Sequence, residues 1–284
     1  MIRRRRLFGL AALAAAAPAG HALAIEPYAA PNITEHRLAW PGPPLRIAVL
    51  ADLHAGGPTM SESRIASIVG TTNALRPDLV ALLGDYGLAM SVEGRQVPQA
   101  SVARLLAGLR APLGVHAVLG NHDWWEDEAA RRGRDPRATP LIAQAFAQAG
   151  IPVLRNAAHR AGGAWIAGLD SQWAFGRDRG AHDVGAVLAA ITDDAPVILL
   201  AHEPDVFAGL PSRIALTLAG HTHGGQVRIL GHSPMIPSRY GERYRHGLVT
   251  EQGRHLIVSA GLGTSFLPIR FGVPPEILLV TLGG

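Results

Sequence analysis

The sequence predicts an α/β protein assembled from βαβ units. Short runs rich in Val, Ile, Leu and Ala, each the length of a buried strand, alternate with longer segments of helical periodicity. Gly- and Pro-containing turns separate them. Five of the runs end in Asp, Asn or His, and the carboxyl ends of strands are where α/β sheets gather their ligands. An apolar fraction of 48% against 17% charged residues fits a core-forming chain and excludes disorder. The 284 residues suffice for one large domain or two small ones, and no internal repeat or second boundary is visible.

Composition removes several chemistries. With no Cys there is no disulfide, thiolate ligand, cysteine nucleophile or lipoprotein anchor. All 26 basic residues are Arg, which excludes a lysine Schiff base and a P-loop lysine. The net charge of +4 belongs entirely to Arg3–Arg6, so residues 25–284 are formally neutral and nucleic-acid binding is not expected.

Arg3–Arg6 precede the apolar stretch Leu7–Ala17 and the small-x-small site Ala22-Leu23-Ala24, the pattern of an export signal over residues 1–24. The apolar stretch falls short of the roughly 20 residues that span a bilayer. Arg5-Arg6-Leu7-Phe8 resembles the twin-arginine consensus, which implies the twin-arginine machinery as partner and export to the periplasm or the outer face of the cytoplasmic membrane. Residues 25–44, with five prolines, read as an extended lead-in to a domain over 45–284.

Leu45–Ala51 reads as the first strand and ends in Asp52-Leu53-His54. Thr59 with Glu62 suggests a capping box for a helix bearing Ile65, Ile68, Val69 and Leu75. Asp78–Leu83 leads to Gly84-Asp85, and a helix is expected near Gln99–Arg110. Gly114–Leu119 leads to Gly120-Asn121-His122-Asp123, then Trp124-Trp125 and a charged loop, Glu126–Arg137. A helix near Thr139–Gln148 precedes short strands at Ile151–Leu154 and Ala164–Leu169, and another helix lies near Asp183–Ala190. Pro196–Ala201 ends in His202-Glu203, and Ile214–Ala219 in Gly220-His221-Thr222-His223. Strands are expected at Gln226–Leu230, His255–Ala260 and Glu276–Leu282.

A single His or Asp after a strand is usually a cap or turn residue. Five strand ends that all carry such groups are not five independent turns. Asp52, His54, Asp85, Asn121, His202, His221 and His223 are rich in imidazole and carboxylate and free of sulfur. That set suits Mn, Fe, Zn, Co or Ni better than Ca or Mg. Seven ligands are too many for one tetrahedral ion, but they serve two divalent ions sharing a carboxylate. Such a pair grips two oxygens of a phosphoryl group and lets water attack without a phospho-enzyme.

Taken in order, Asp52-x-His54, Gly84-Asp85, Gly120-Asn121-His122-Asp123, His202 and Gly220-His221-x-His223 resemble the five motifs of the calcineurin-like metallophosphoesterases. The stretches Gly261–Ser265, Pro268–Gly272 and Pro274–Ile277 are similar to an exported or membrane-associated bacterial branch, the YkuE/YaeI-like phosphodiesterases. The resemblance implies a four-layer α/β/β/α sandwich around two mixed sheets. It implies Asp52, His54 and His223 on one metal, Asn121, His202 and His221 on the other, and Asp85 between them. It makes His122 the residue that contacts phosphate and protonates the leaving oxygen, with Asp123 either orienting that imidazole or capping the next turn. The Asp-Arg-Gly that follows Gly-Asp in phosphoprotein phosphatases is replaced by Tyr86-Gly87-Leu88, which disfavours that activity. Arg239, Arg245 and Arg270 are the candidates for a substitute phosphate clamp.

The leading expectation is a metal-dependent phosphoesterase that cleaves a phosphodiester or pyrophosphate. Candidate substrates are a nucleotide, an envelope phosphodiester or a lipid-linked UDP-sugar, with membrane-surface association. The alternatives are an envelope phosphomonoesterase or nucleotidase, and a metal- or phosphate-binding protein without turnover. Trp124-Trp125 read either as an apolar lip or as loop packing, with packing favoured. Asp170-Ser171 read as support for a ligating His or as a turn.

Overall fold

The computed structural model describes residues 18–87, 96–177 and 179–283. Residues 1–17 of the expected export signal, and most of the insertion after Asp85, lie outside the described residues.

Two mixed sheets form the centre. The first runs β1 (Asn32–Leu38), β11 (Glu276–Leu282), β2 (Leu45–Leu50), β3 (Leu79–Leu82), β4 (Val115–Ala117). Its strands β2, β3 and β4 are parallel, β11 enters antiparallel to β2, and β1 lies parallel to β11. The second runs β5 (Ala157–Ala161), β6 (Ala164–Gly168), β7 (Val197–Leu200), β8 (Ile214–Ala219), β10 (Arg254–Val258), β9 (Gly247–Glu251). Strands β6, β7, β8 and β10 are parallel, with antiparallel hairpin partners β5 and β9 at the edges.

Three buried apolar clusters separate four layers. In β2, Ile47 and Val49 join Ile166, Ile198, Leu218 and Leu278 between the sheets. The alternate residues Ala48 and Leu50 face the helices α1 (Glu62–Ala74), α2 (Gln99–Leu106) and α5 (Leu141–Gln148). Beyond the second sheet, Leu199, Phe207 and Tyr244 pack with Val187 of α6 (Val184–Ala189). Because β3 and β7 are covered on both faces, and β2 and β8 over most of their length, they read in sequence as nearly continuous apolar runs rather than as alternation.

Several local features differ from the sequence reading. The lead-in is extended, but Asn32–Leu38 add an edge strand to the first sheet. The N-cap of α1 is Ser61, whose oxygen accepts from the Arg64 N–H, whereas Thr59 is buried against Thr264. The charged loop contains a turn of helix, α4 (Glu128–Gly133), capped by Asp127. Ile151–Leu154 form only an isolated bridge between Val153 and Ala117, and the strand expected at Gln226–Leu230 is reduced to bridges at Val227 and Ile229. The edge strands β5 and β9 escaped notice because they are half-exposed and carry weak alternation.

Leu278→Ala opens a void between the two sheets. A loss of about 2–5 kcal/mol is expected, read as a lower urea midpoint with an unchanged slope.

Candidate metal centre

The five motif loops converge where β2, β3 and β4 of one sheet meet β7 and β8 of the other. Each ligand lies within a few residues of a strand's carboxyl end, so the sheet registers set their spacing. The backbone turns hard to aim them. Asp52, His54, Asp85, His221 and His223 all adopt left-handed conformations, with φ from 45° to 72°. Such φ values are uncommon for side-chain-bearing residues and persist where surrounding structure enforces them. The enforcing bonds are visible. His54 N–H donates to the Asp85 carbonyl at 3.0 Å, and Asp52 N–H to the Gly84 carbonyl at 3.1 Å. The His221 N–H reaches both Asp52 oxygens at 3.0 Å.

The motif glycines make room for carboxylates. A Cβ on Gly120 would collide with Asp85 Oδ1, and one on Gly220 would stand 2.7 Å from Asp52 Oδ2.

Two clusters result: Asp52 with His54 and His223, and Asp85 with His202 and His221. Within each, the candidate ligand atoms lie within 4.8 Å of one another. The clusters touch. His202 Nε2 is 3.1 Å from Asp85 Oδ2, and His54 Nε2 is 3.7 Å from the same oxygen, which puts Asp85 between them. Asn121 begins helix α3 (Asn121–Trp125), and its buried Oδ1 has no hydrogen-bond partner.

The donor set fits divalent metals. The Nδ1 atoms of His54 and His202 face only carbonyls, of Gly87 at 3.1 Å and Leu83 at 2.7 Å. Those nitrogens must carry the protons, which turns the Nε2 lone pairs into the site. There they meet other acceptors: carboxylate oxygens, and the Nε2 of His223 at 3.1 Å from that of His54. Buried lone pairs aimed at one another are costly unless a cation lies among them.

Titration behaviour points the same way. Burial pushes the Asp52 carboxyl up to about 7, against the pull of His202 and aided by neighbouring Asp85. Burial drives His54 down to about 3 and holds His221 and His223 well below the usual imidazole range. His202 goes the other way: burial opposes its charge, but the adjacent Asp85 carboxylate outweighs it. A proton on His202 Nε2 there does part of what a metal cation would do.

His122 lies in the wall of a cavity of about 320 Å³ that also exposes Asp85, Asn121 and His223. Its N–H donates to Asp85 Oδ1 at 2.9 Å, and its ring packs edge-on against His54 and Trp125. Burial lowers its pKa. Asp123 is placed differently from the orienting role considered for it. Its carboxylate accepts N–H bonds from Gly120, Asp85 and Tyr86 at 2.8–3.0 Å, clamping the Asn121 loop to the Asp85 loop. It is a backbone clamp, and among the described contacts none joins it to the His122 ring.

The two tryptophans divide. Trp124 is fully buried and donates to Asp170, while Trp125 lines the cavity and donates to the Trp173 carbonyl. Asp170 binds Trp124 and Arg155, and Ser171 donates to Glu203, so neither supports a ligating His directly. Arg270 is wholly buried, donating to the carbonyls of Gly263, Ala260 and Val273, with its guanidinium 3.4 Å from His223 Nδ1. Arg245 is tied to Gly224 and Glu242. Among the described residues no Arg lines the cavity.

Sequence reasoning missed Trp173, whose ring meets His221 edge-on at 4.5 Å, and Glu203, which holds the Trp173 loop through Ser171 and two backbone N–H groups. Their position at the ends of β6 and β7 was the available signal. Phe266 and Leu267, also on the cavity wall, carried none.

The fold and this ligand set define a metal-dependent phosphoester hydrolase. The profile of the calcineurin-like phosphoesterases matches residues 45–225, from β2 to just past His223, and the chain belongs to that family. Among its relatives is the uncharacterized metallophosphoesterase YkuE of Bacillus subtilis, 31% identical over 99% of this chain and 98% of that protein. Phosphodiesterase YaeI of Escherichia coli is also 31% identical, over 99% of this chain and all of its own length. A metallophosphoesterase of Aquifex aeolicus is 31% identical over 86% of this chain and 87% of its own.

Asp123→Asn replaces one acceptor with a donor that faces N–H groups. A cost of about 1–3 kcal/mol is expected, measurable by urea denaturation. Metal binding must displace the protons of Asp52, whose carboxyl burial pushes up to about 7, and of His202 Nε2, which the Asp85 carboxylate holds above the usual imidazole range. Affinity should therefore fall as pH drops through the neutral range, by up to about tenfold per pH unit for each proton displaced. Calorimetric titration of Mn or Zn between pH 5.5 and 8 in two buffers checks this through the protons released.

Proposed function

We propose that the chain is an exported dinuclear phosphoesterase that cleaves a phosphodiester or pyrophosphate bond. The observation that carries this reading is the pairing of the two ligand clusters about Asp85, with His122 on the wall of the adjoining cavity. Asp52, His54 and His223 would hold one ion, Asn121, His202 and His221 the other, and Asp85 both. When bound, the pair supplies charge neutralisation and an acidified water for direct attack at phosphorus. His122 is placed to bind a phosphoryl oxygen and to pass a proton to the departing oxygen.

The diester preference has its own support. The sequence contains no Lys, and among the described residues no Arg lines the cavity. A dianionic monoester would lack a side-chain cation beyond imidazole, whereas a monoanionic diester needs less. The apolar wall formed by Trp125, Trp173, Phe266 and Leu267 suits a substituent on the second ester oxygen. The name of the YaeI relative agrees with this choice.

Export rests on Arg3–Arg6 and the apolar run after them, with the twin-arginine machinery as carrier and the periplasm or the outer membrane face as destination. An envelope or extracellular ester is then the natural substrate class. Fractionation that recovers the active protein from the cytoplasm would overturn this part.

The functional test compares bis-p-nitrophenyl phosphate with p-nitrophenyl phosphate after reloading the stripped protein with Mn, Zn, Fe, Co or Ni. Metal-dependent cleavage of the diester is expected, with His122→Ala slower by about 10²–10⁴-fold and Asn121→Ala similarly impaired. Monoester preference would favour an envelope phosphatase or nucleotidase. Two bound metals with no hydrolysis of either ester would favour a binding protein.

A further inference from the structure

The mouth of the cavity is framed by two segments, residues 226–241 and 261–275. They carry six exposed large apolar side chains, of which Leu230 is 96% and Met235 72% exposed; the others are Ile229, Tyr240, Phe266 and Leu267. Their tips are held, not loose. Ile229 and His232 exchange backbone hydrogen bonds at 2.8 and 3.0 Å, closing a two-residue hairpin with Leu230 at φ 50° and Gly231 at φ 89°. Such a turn favours Asn or Gly at its first central position, because a bulky side chain there is strained. Leu230 occupies it nonetheless. Phe266 repeats the pattern at φ 61°, its ring 6.1 Å from that of His122. Two bulky apolar residues on left-handed backbone, both facing water on the segments that frame the cavity, gain nothing from solution.

The two segments themselves carry charge of one sign, although the exposed Glu242 follows the first directly and accepts from the Ser233 N–H. Neither segment contains an acidic residue, while Arg228 and Arg239 stand exposed among the apolar tips. Residues 25–284 as a whole are formally neutral, so this is a local bias.

The N-terminal segment arrives at the same corner. Residues 18–24 are helical, and the Ala22 carbonyl accepts from the Arg270 N–H at 3.0 Å. Phe271 touches the His21 ring, and its carbonyl accepts from the Arg228 N–H at 2.7 Å. Glu26, buried, accepts from the N–H groups of Gly272 and Val273. Leu23 and Ile25 of this segment are exposed as well, and the sequence of Arg3–Arg6 and Leu7–Ala17 precedes it.

We infer that segments 226–241 and 261–275 form a docking face for an anionic lipid bilayer, with Leu230 and Phe266 as its insertion points, so that the cavity opens onto the lipid surface. Exposed apolar tips flanked by basic side chains, as Leu230 and Met235 are by Arg228 and Arg239 in the sequence, are a combination that binds such interfaces. The inference rests on the phosphoesterase reading only for what the cavity does once there; binding itself is independent of turnover.

The test uses the full chain with vesicles of phosphatidylcholine, with and without phosphatidylglycerol, followed by sedimentation. The parent protein should partition onto the anionic vesicles, less so at high salt. The Ile229→Ser/Leu230→Glu double variant, altered outside the cavity wall, should partition at least tenfold less. Its hydrolysis of bis-p-nitrophenyl phosphate and its melting temperature should be unchanged. Equal partitioning of parent and variant would assign membrane binding to residues 1–17 alone and overturn the proposal. So would a lipid-free dimer that the double variant dissociates, since a second copy would then cover this face. Variant-sensitive vesicle binding by a protein that hydrolyses no ester would uphold the docking face and refute the enzymatic reading.

Discussion

Two buried carboxylates and four buried imidazoles face one another at the centre of this molecule, and their lone pairs converge. A dry protein interior tolerates that arrangement only with positive charge among them. Much of the surrounding architecture can be understood as holding these groups together against that repulsion. The left-handed backbone at five ligand positions aims them inward. Gly120 and Gly220 let the carboxylates approach the neighbouring loops. The carbonyls of Gly87 and Leu83 settle which nitrogen of His54 and His202 is left open.

Buried charged side chains that never enter the cavity anchor the loops in turn. Asp123 ties the Asn121 loop to the Asp85 loop through three N–H groups. Arg270 gathers carbonyls on both sides of His223, and Glu26 braces the segment that presents Arg270. Glu203, next to the ligand candidate His202, fixes the loop that brings Trp173 against His221. Residues far apart in the chain thus share one rigid frame. The cavity itself is left to aromatic and aliphatic walls, with His122 as the imidazole standing between the ligand clusters and Phe266.

Legibility in the sequence tracked burial. Strands covered on both faces announced themselves as apolar runs, and their ends carried the ligand candidates. The half-exposed strands β1, β5 and β9 did not, because alternation over five to seven residues is weak in segments also rich in His, Arg and Gly. Asp123 could be read either as an imidazole partner or as a cap, and only the three N–H groups converging on it resolved the choice. Two of the Arg candidates for a phosphate clamp, Arg245 and Arg270, are instead tied to carbonyls and to Glu242. Nothing in a sequence distinguishes a guanidinium bound to carbonyls from one facing a ligand.

The sequence by itself determined the α/β class, the order of the ligand motifs, the chemistry available to them and the neutrality of the domain. These depend on residue type and on short spacings along the chain. The tertiary structure decided that Asp123 clamps two loops and which of the adjacent tryptophans faces the cavity. It also decided that Phe266 lines the cavity while Leu230 stands exposed at the tip of a hairpin. Each of those follows from the pairing of β2 with β3 in one sheet, of β7 with β8 in the other, and from the packing of the two sheets face to face. Contacts made across hundreds of residues leave no local pattern, because they are set by the packing of surfaces that exist only once the chain has folded.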